Sequence, residues 1–236
     1  DMLGVSNSYT KRFCNTMLDN KTILVTGASG ILGQAACKIA GEHGAKTIEF
    51  DLAFTLTQDN RYEVDLTEKD SVQDLIGKLE PIDVVFNIAG GFAMGPAVHE
   101  TATDEWDRMY KMNVVTALNV IEAVVPKMQA RGRGAIVNVG AMSARDGQAN
   151  MGAYISAKST IMRLTESMAK ELKHEGINVN AVLPNIIDTP ANRAGMPDED
   201  FKSWVSPESL ANVMCFLASE SAAAVHGALV PVSGLS

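Results

Sequence analysis

The segment Thr22–Gly33, TILVTGASGILG, limits the fold more than any other part of the chain. Its first five residues are apolar or β-branched without alternation, the pattern of a strand covered on both faces. Glycines follow at 27, 30 and 33, where the chain turns out of the strand into a helix running through about His43. Gly44 suits the position that ends that helix. A strand covered on both sides needs helices above and below it, which points to a parallel α/β sheet.

The rest of the chain continues the alternation. Strands are predicted at Ala45–Phe50, Tyr62–Val64, Ile82–Asn87, Ala135–Val139, Asn178–Leu183 and Ala228–Val232. Helices are predicted from Asp104 to about Gln129 with a bend near Pro126, from Tyr154 to about His174, and over Pro207–Ser219. Right-handed crossovers then give one doubly wound, Rossmann-type α/β domain over residues 21–236, with a seven-stranded parallel sheet. Only ten residues separate Asp51 from Tyr62. That is below the length of about a dozen that a crossover helix needs, so a loop or single turn is expected. The long, proline-punctuated stretch 188–206 reads as a lid or substrate loop. Residues 1–20 form an N-terminal extension without the apolar core of a secretory signal.

Composition excludes several function classes. A net charge of −8 argues against nucleic-acid partners. No run of about 18 apolar residues is present to span a membrane. Three scattered cysteines without a Cys-x-x-Cys, and four histidines without ligand spacing, predict a reducing compartment and no metal site. The expected location is cytoplasmic, or an organellar lumen if residues 1–20 are a targeting remnant.

The glycine turn suits a dinucleotide. Glycine there permits a tight turn and close backbone approach to a pyrophosphate, which the helix N-terminus then holds. Gly27, Ser29, Gly30, Ile31, Leu32 and Gly33 are the candidate contacts. Asp51 ends the second strand, eighteen residues after Gly33, where a carboxylate would accept from ribose hydroxyls and repel a 2′-phosphate. NAD(H) is therefore favoured and NADP(H) stays open; Asp51 also reads as a solvated loop residue. Asp65, with Leu66 beside it, would face an adenine amino group or cap the segment Thr67–Asp70. Asn87, Ala89 and Gly90 end the fourth strand with small residues where backbone would pass close to the cofactor.

Tyr154 and Lys158 stand one helical turn apart, so both can face one cleft. A phenol near pKa ~10 is a poor acid. A neighbouring ammonium is expected to lower that value and make it a usable proton donor to an atom receiving hydride.

In order along the chain, Thr26-Gly-x-x-Gly-x-x-Gly33, Asn87-x-Ala-Gly90, Asn113, Tyr154-x-x-x-Lys158 and Pro184…Thr189 resemble the short-chain dehydrogenase/reductase family. The resemblance implies that Tyr154 donates the proton and that Lys158 binds the nicotinamide ribose. It implies that Asn113 holds a water near the lysine, that Ile187 meets the carboxamide through its backbone, and that Thr189 meets the carboxamide or phosphates, with Pro184 alongside. The chain departs from the family at Ala141, thirteen residues before the tyrosine, where a serine is usual. Ser143, two residues on, is the candidate replacement.

A narrower resemblance is to dihydropteridine reductases. It rests on Gly140-Ala141, Met151-Gly-x-Tyr154, the Ala89-Gly90-Gly91 turn and Asp188-Thr-Pro-x-Asn-Arg193. It implies a quinonoid pterin, an acceptor that takes hydride readily, although Phe92 stands where a tryptophan is expected. Gly91, Phe92, Ala141, Arg193 and Trp204 are the candidate substrate residues. Phe201 and Trp204 also read as packing, and Arg193 as a salt bridge to Asp198 or Glu199. Other functions left open are an NAD(H)-binding redox sensor or scaffold and a reductase of ordinary ketones or 3-oxoacyl compounds. A homodimer or homotetramer is expected through an outward face bearing Ile161, Leu164, Thr165 and Met168.

Overall fold

The computed structural model describes residues 16–235. Seven strands form one parallel sheet: β1 (Thr22–Thr26), β2 (Lys46–Asp51), β3 (Arg61–Glu63), β4 (Val84–Asn87), β5 (Gly134–Val139), β6 (Ile177–Pro184) and β7 (Leu229–Val232). Their order is β3-β2-β1-β4-β5-β6-β7. This is the single doubly wound domain that the alternation predicts, with strand ends displaced by one or two residues.

Side chains alternate across each strand, which divides the core into two layers. Ile23, Val25, Val84, Phe86 and Val137 pack against α1 (Ile31–Glu42) and α7 (Pro207–Ala218). Leu24, Val85 and Ile136 pack on the other side against α2 (Lys69–Lys78), α4 (Thr116–Arg131) and α5 (Gly152–Leu172). Leu18, ahead of β1, is fully buried in the first layer, and its amide donates to the His43 carbonyl at 3.0 Å. The remainder of the predicted extension, residues 1–15, lies outside the described residues. No helix among those described is long and apolar enough to cross a membrane.

Several elements differ from expectation. The β3–β4 crossover is the helix α2, in which only Val72 and Ile76 are buried. The long helix expected from Asp104 is three pieces: α3 (Thr103–Tyr110), a π turn over Lys111–Val115, and α4, which contains Pro126. The 188–206 stretch contains a short helix, α6 (Pro190–Gly195). Of the residues expected on an oligomer face, Ile161, Thr165 and Met168 are buried, because that side of α5 lies on the sheet and neighbouring helices. The connection between β2 and β3 is a loop, as its length requires.

Candidate active site

Strand order reverses between β1 and β4, so the loops leaving them diverge and open a crevice at their carboxyl ends. A cavity of 1230 Å³ occupies it. Its floor is the glycine turn. Gly27 has φ +66°, and a Cβ on it would meet the Ala89 backbone at 3.0 Å. A Cβ on Gly33 would lie 2.1 Å from the Gly27 carbonyl oxygen. Only hydrogen fits at Gly33, and the turn delivers the start of α1 to the cavity. That cradle fits a pyrophosphate resting on helix amides. The Thr26 hydroxyl, which sequence reasoning did not single out, accepts from the amides of Ile88 and Ala89, both at 3.0 Å, and so ties the two diverging loops together.

Ser29, Gly30, Ile31, Leu32, Asp51, Asp65, Leu66, Ala89 and Gly90 all border this cavity. The Asp51 carboxylate accepts from the Ser29 amide at 2.8 Å and the Leu52 amide at 2.7 Å, joining the end of β2 to the glycine turn. Asp65 accepts from both the amide and hydroxyl of Thr67, so the local turn is made, though the residue still faces the cavity. Asn87 does not border it. The side chain turns into the sheet instead and donates to Asn138 Oδ1 at 2.9 Å, and Asn138 in turn donates to Thr165. The cause is register, since Asn87 and Asn138 are paired across β4 and β5.

At the other end, Tyr154 borders the cavity and meets the Phe92 ring edge-on at 5.0 Å. Lys158 is buried beneath, its ammonium donating to the Val139 carbonyl at 3.0 Å. Burial pushes the tyrosine up to about 12 and pulls the lysine down to about 8. Desolvation raises the phenol because a phenolate in this setting loses its water, and the lowering expected from the ammonium is not seen. A phenol held that high is protonated at neutral pH and is a donor.

Asn113 lies behind the cavity wall. Its side chain accepts from the Gly91 amide and donates to the Gly91 and Met109 carbonyls, at 3.0–3.2 Å. A Cβ on Gly90 would sit 2.5 Å from Asn113 Oδ1 and 3.4 Å from Lys158 Nζ, which places these three groups together. The Asn113 side chain therefore holds the Gly90–Gly91 loop against the lysine.

Ala141 is buried at the cavity edge, just before a 3₁₀ turn over Met142–Arg145. The Ser159 hydroxyl pins that turn to α5 through the Ala144 carbonyl at 2.9 Å. Ser143 faces the cavity, and its hydroxyl has no hydrogen-bond partner among the described residues.

Beyond β6, Pro184, Ile187 and Thr189 border the cavity, as do Gly91, Phe92 and Met196. Arg193 and Trp204 do not, which corrects their assignment to substrate. Arg193 pairs with Asp188 through two bonds of 2.6 and 2.7 Å, and not with Asp198 or Glu199, because Asp188 lies just ahead of the first turn of α6, within reach of the long arginine side chain. It also lies over the Phe201 ring at 4.9 Å, and Phe201 packs on the buried Trp204 at 4.8 Å. Those aromatics pack the 188–206 stretch together. Met151, from the Met151-Gly-x-Tyr154 stretch, also lines the cavity, as do Met94 and Met112, which nothing in their spacing marked beforehand.

The family model for short chain dehydrogenases matches residues 21–200. Two similar curated proteins are the short chain dehydrogenase ausX of Aspergillus calidoustus and the dehydrogenase/reductase SDR family member 6 of Xenopus laevis. The first is 29% identical, covering 91% of this chain and 96% of its own. The second is also 29% identical, covering 89% and 94%. Among solved structures, the aldohexose dehydrogenase of Thermoplasma acidophilum superposes with a TM-score of 0.83 at 26% identity, over 92% of this chain and 94% of that one. A gluconate 5-dehydrogenase from Burkholderia cenocepacia, in complex with NADP and tartrate, has the same fold, with a TM-score of 0.84 at 24% identity over 93% and 96%.

Proposed function

The chain belongs to the short-chain dehydrogenase family of oxidoreductases, and from that premise we propose that it is an NADH-dependent reductase of a planar, electron-poor acceptor. A quinonoid dihydropterin is the most specific candidate. One observation carries the reading: Tyr154 is a protonated donor in a cavity where Ala141 replaces the hydroxyl that would polarise a carbonyl. An acceptor that already takes hydride readily needs only the proton.

When bound, the dinucleotide supplies the hydride. Tyr154 gives its proton to the site next to the atom that accepts hydride, and Lys158, held by the Val139 carbonyl, places a positive charge beneath. Ser143 is the nearest unpaired hydroxyl in sequence and serves as a weaker second donor. Phe92, Met94, Met112, Met151 and Met196 form an apolar, polarisable wall suited to a flat conjugated ring. The same wall offers few partners for the hydroxyls of a sugar acid, which are costly to bury unpaired. Asp51 ends β2 bonded to the glycine turn, with Leu52 and no nearby cation after it, and a carboxylate there would repel a 2′-phosphate, which supports NADH over NADPH.

The test is NADH oxidation with quinonoid dihydropterin, set against ketones, a 3-oxoacyl thioester and sugar lactones. Dihydropterin should be the best acceptor, NADH should outperform NADPH, and Tyr154→Phe should slow turnover by about 10²–10⁴-fold. Equal turnover by Tyr154→Phe would remove the tyrosine from the chemistry. A preference for ketones, or for NADPH, would overturn the acceptor or the role of Asp51 respectively.

A further inference from the structure

Asn192, on the first turn of α6, borders the cavity and is half-buried. Its side-chain Nδ2 donates to the Ile187 carbonyl at 2.8 Å. Its backbone N–H donates to the Thr189 hydroxyl oxygen at 3.2 Å. Its Oδ1 has no hydrogen-bond partner among the described residues. The side chain of Asn192 therefore ties down Ile187, while the Thr189 hydroxyl is held beside it by the helix-capping bond to the backbone at position 192; the family resemblance directs both groups toward the nicotinamide carboxamide.

The chemistry of the two tied groups is complementary. A carbonyl oxygen has two lone pairs, so Ile187 can accept from Asn192 and from one further N–H. A hydroxyl whose oxygen accepts from an amide keeps its own hydrogen to donate. Ile187 is thus an acceptor and Thr189 a donor, and a primary carboxamide presents an NH₂ and a C=O. The outer side of the same backbone is held independently. Ile187 bridges Val205, the Asp188 amide donates to the Val205 carbonyl at 2.8 Å, and the Val205 amide donates to the Ile186 carbonyl at 3.0 Å. Ile187 is clamped from both sides, with Asn192 on the cavity side.

We propose that Asn192 is the positioning residue for the nicotinamide end of the site, its side chain setting the Ile187 carbonyl as acceptor for the carboxamide beside the Thr189 hydroxyl. The inference rests on the reading that a nicotinamide dinucleotide occupies the cavity. It is a statement about one end of that ligand, which makes it separable from general support of the loop.

The experiment compares NADH with ADP-ribose, which lacks the nicotinamide, by titration calorimetry on the full chain. The variants are Asn192→Ala, which removes the side-chain amide, and Asn192→Leu, which keeps nearly the same shape with neither the donor nor an added charge. Each should weaken NADH about tenfold, the effect of losing roughly one well-placed hydrogen bond. Each should leave ADP-ribose within about twofold of the parent chain. Parallel weakening of both ligands would make Asn192 a general loop support and overturn the proposal, as would unchanged NADH affinity. If the parent chain binds ADP-ribose no more weakly than NADH, the carboxamide contributes nothing and the proposal fails while the dinucleotide reading stands. If the parent chain binds neither, the dinucleotide reading itself fails.

Discussion

Lys158→Met separates the energetics of the site from its chemistry. Burial lowers the Lys158 ammonium from its ordinary 10.5 to about 8. Each tenfold change in proton affinity corresponds to about 1.4 kcal/mol, so the charged lysine destabilises the fold by about 3 kcal/mol. The sign follows from which state holds the proton. Well below pH 8 the lysine is charged in both the folded and the unfolded chain, and the fold carries the whole penalty. As pH rises through about 8 the folded chain releases its proton while the unfolded chain still keeps it, so stability rises until about pH 10.5, where both are neutral. Methionine has a similar length and no charge, but it leaves the Val139 carbonyl without its donor, which offsets about 1 kcal/mol. The net expectation near neutral pH is a gain of about 2 kcal/mol, or roughly 4–8 °C in Tm for a chain of this size, together with loss of turnover. Thermal melts of the two unliganded proteins, followed by circular dichroism near pH 7 and near pH 10.5, measure the difference with other titrations cancelled. The gain should be present at the lower pH and gone at the higher. A variant less stable near pH 7, or a difference independent of pH, would refute the assignment of a buried, destabilised charge.

Two further outcomes follow from the same geometry. Because Lys158 titrates near 8 and Tyr154 near 12 in the free chain, kcat/KM for reduction should fall as pH rises through about 8; a flat profile to about pH 9.5 would exclude a role for the lysine's charge. Trp204→Ala should lower stability by about 3–5 kcal/mol in chemical denaturation, as expected of a large buried aromatic. Its effect on KM for the acceptor should be small in any variant that remains folded, and a selective rise in that KM would restore Trp204 to the substrate wall.

The parts of this fold legible from sequence are those in which local pattern and tertiary environment agree. β1 reads as a covered strand because every residue of TILVT is apolar or β-branched, and every one is buried. Tyr154 and Lys158 are legible as a pair because helical geometry alone puts them on one face. The helix α2 was hidden because Val72 and Ile76 are its only buried residues, with Leu75 half-buried beside them and most of the remaining surface polar. Asn87 and Arg193 misled for a different reason. Each had a polar side chain at the right place along the chain, and each was taken by a neighbour, Asn138 across the strand pair and Asp188 across the α6 turn. Which way a polar group turns depends on register and on turn closure, neither of which is written in spacing. Asn192 was passed over on the same grounds, since its side chain gains meaning only once Ile187 and Thr189 are beside it.

The π turn over Lys111–Val115 has a consequence for how this chain can vary in length. An α-helix advances about 100° per residue, so removing one residue there would turn everything downstream by about a quarter of a revolution relative to what precedes it. Asn113 holds Gly91 from within the turn, while Asn119, one and a half turns on, donates to the Leu66 carbonyl at 2.8 Å. The two contacts lie on opposite sides of the site and are in phase only with the extra residue present. A shortened chain would still look like an unbroken helix to any reading of propensity. It would have to give up its hold on one end of the cavity or the other, so this stretch should tolerate exchange of residues far better than a change in their number.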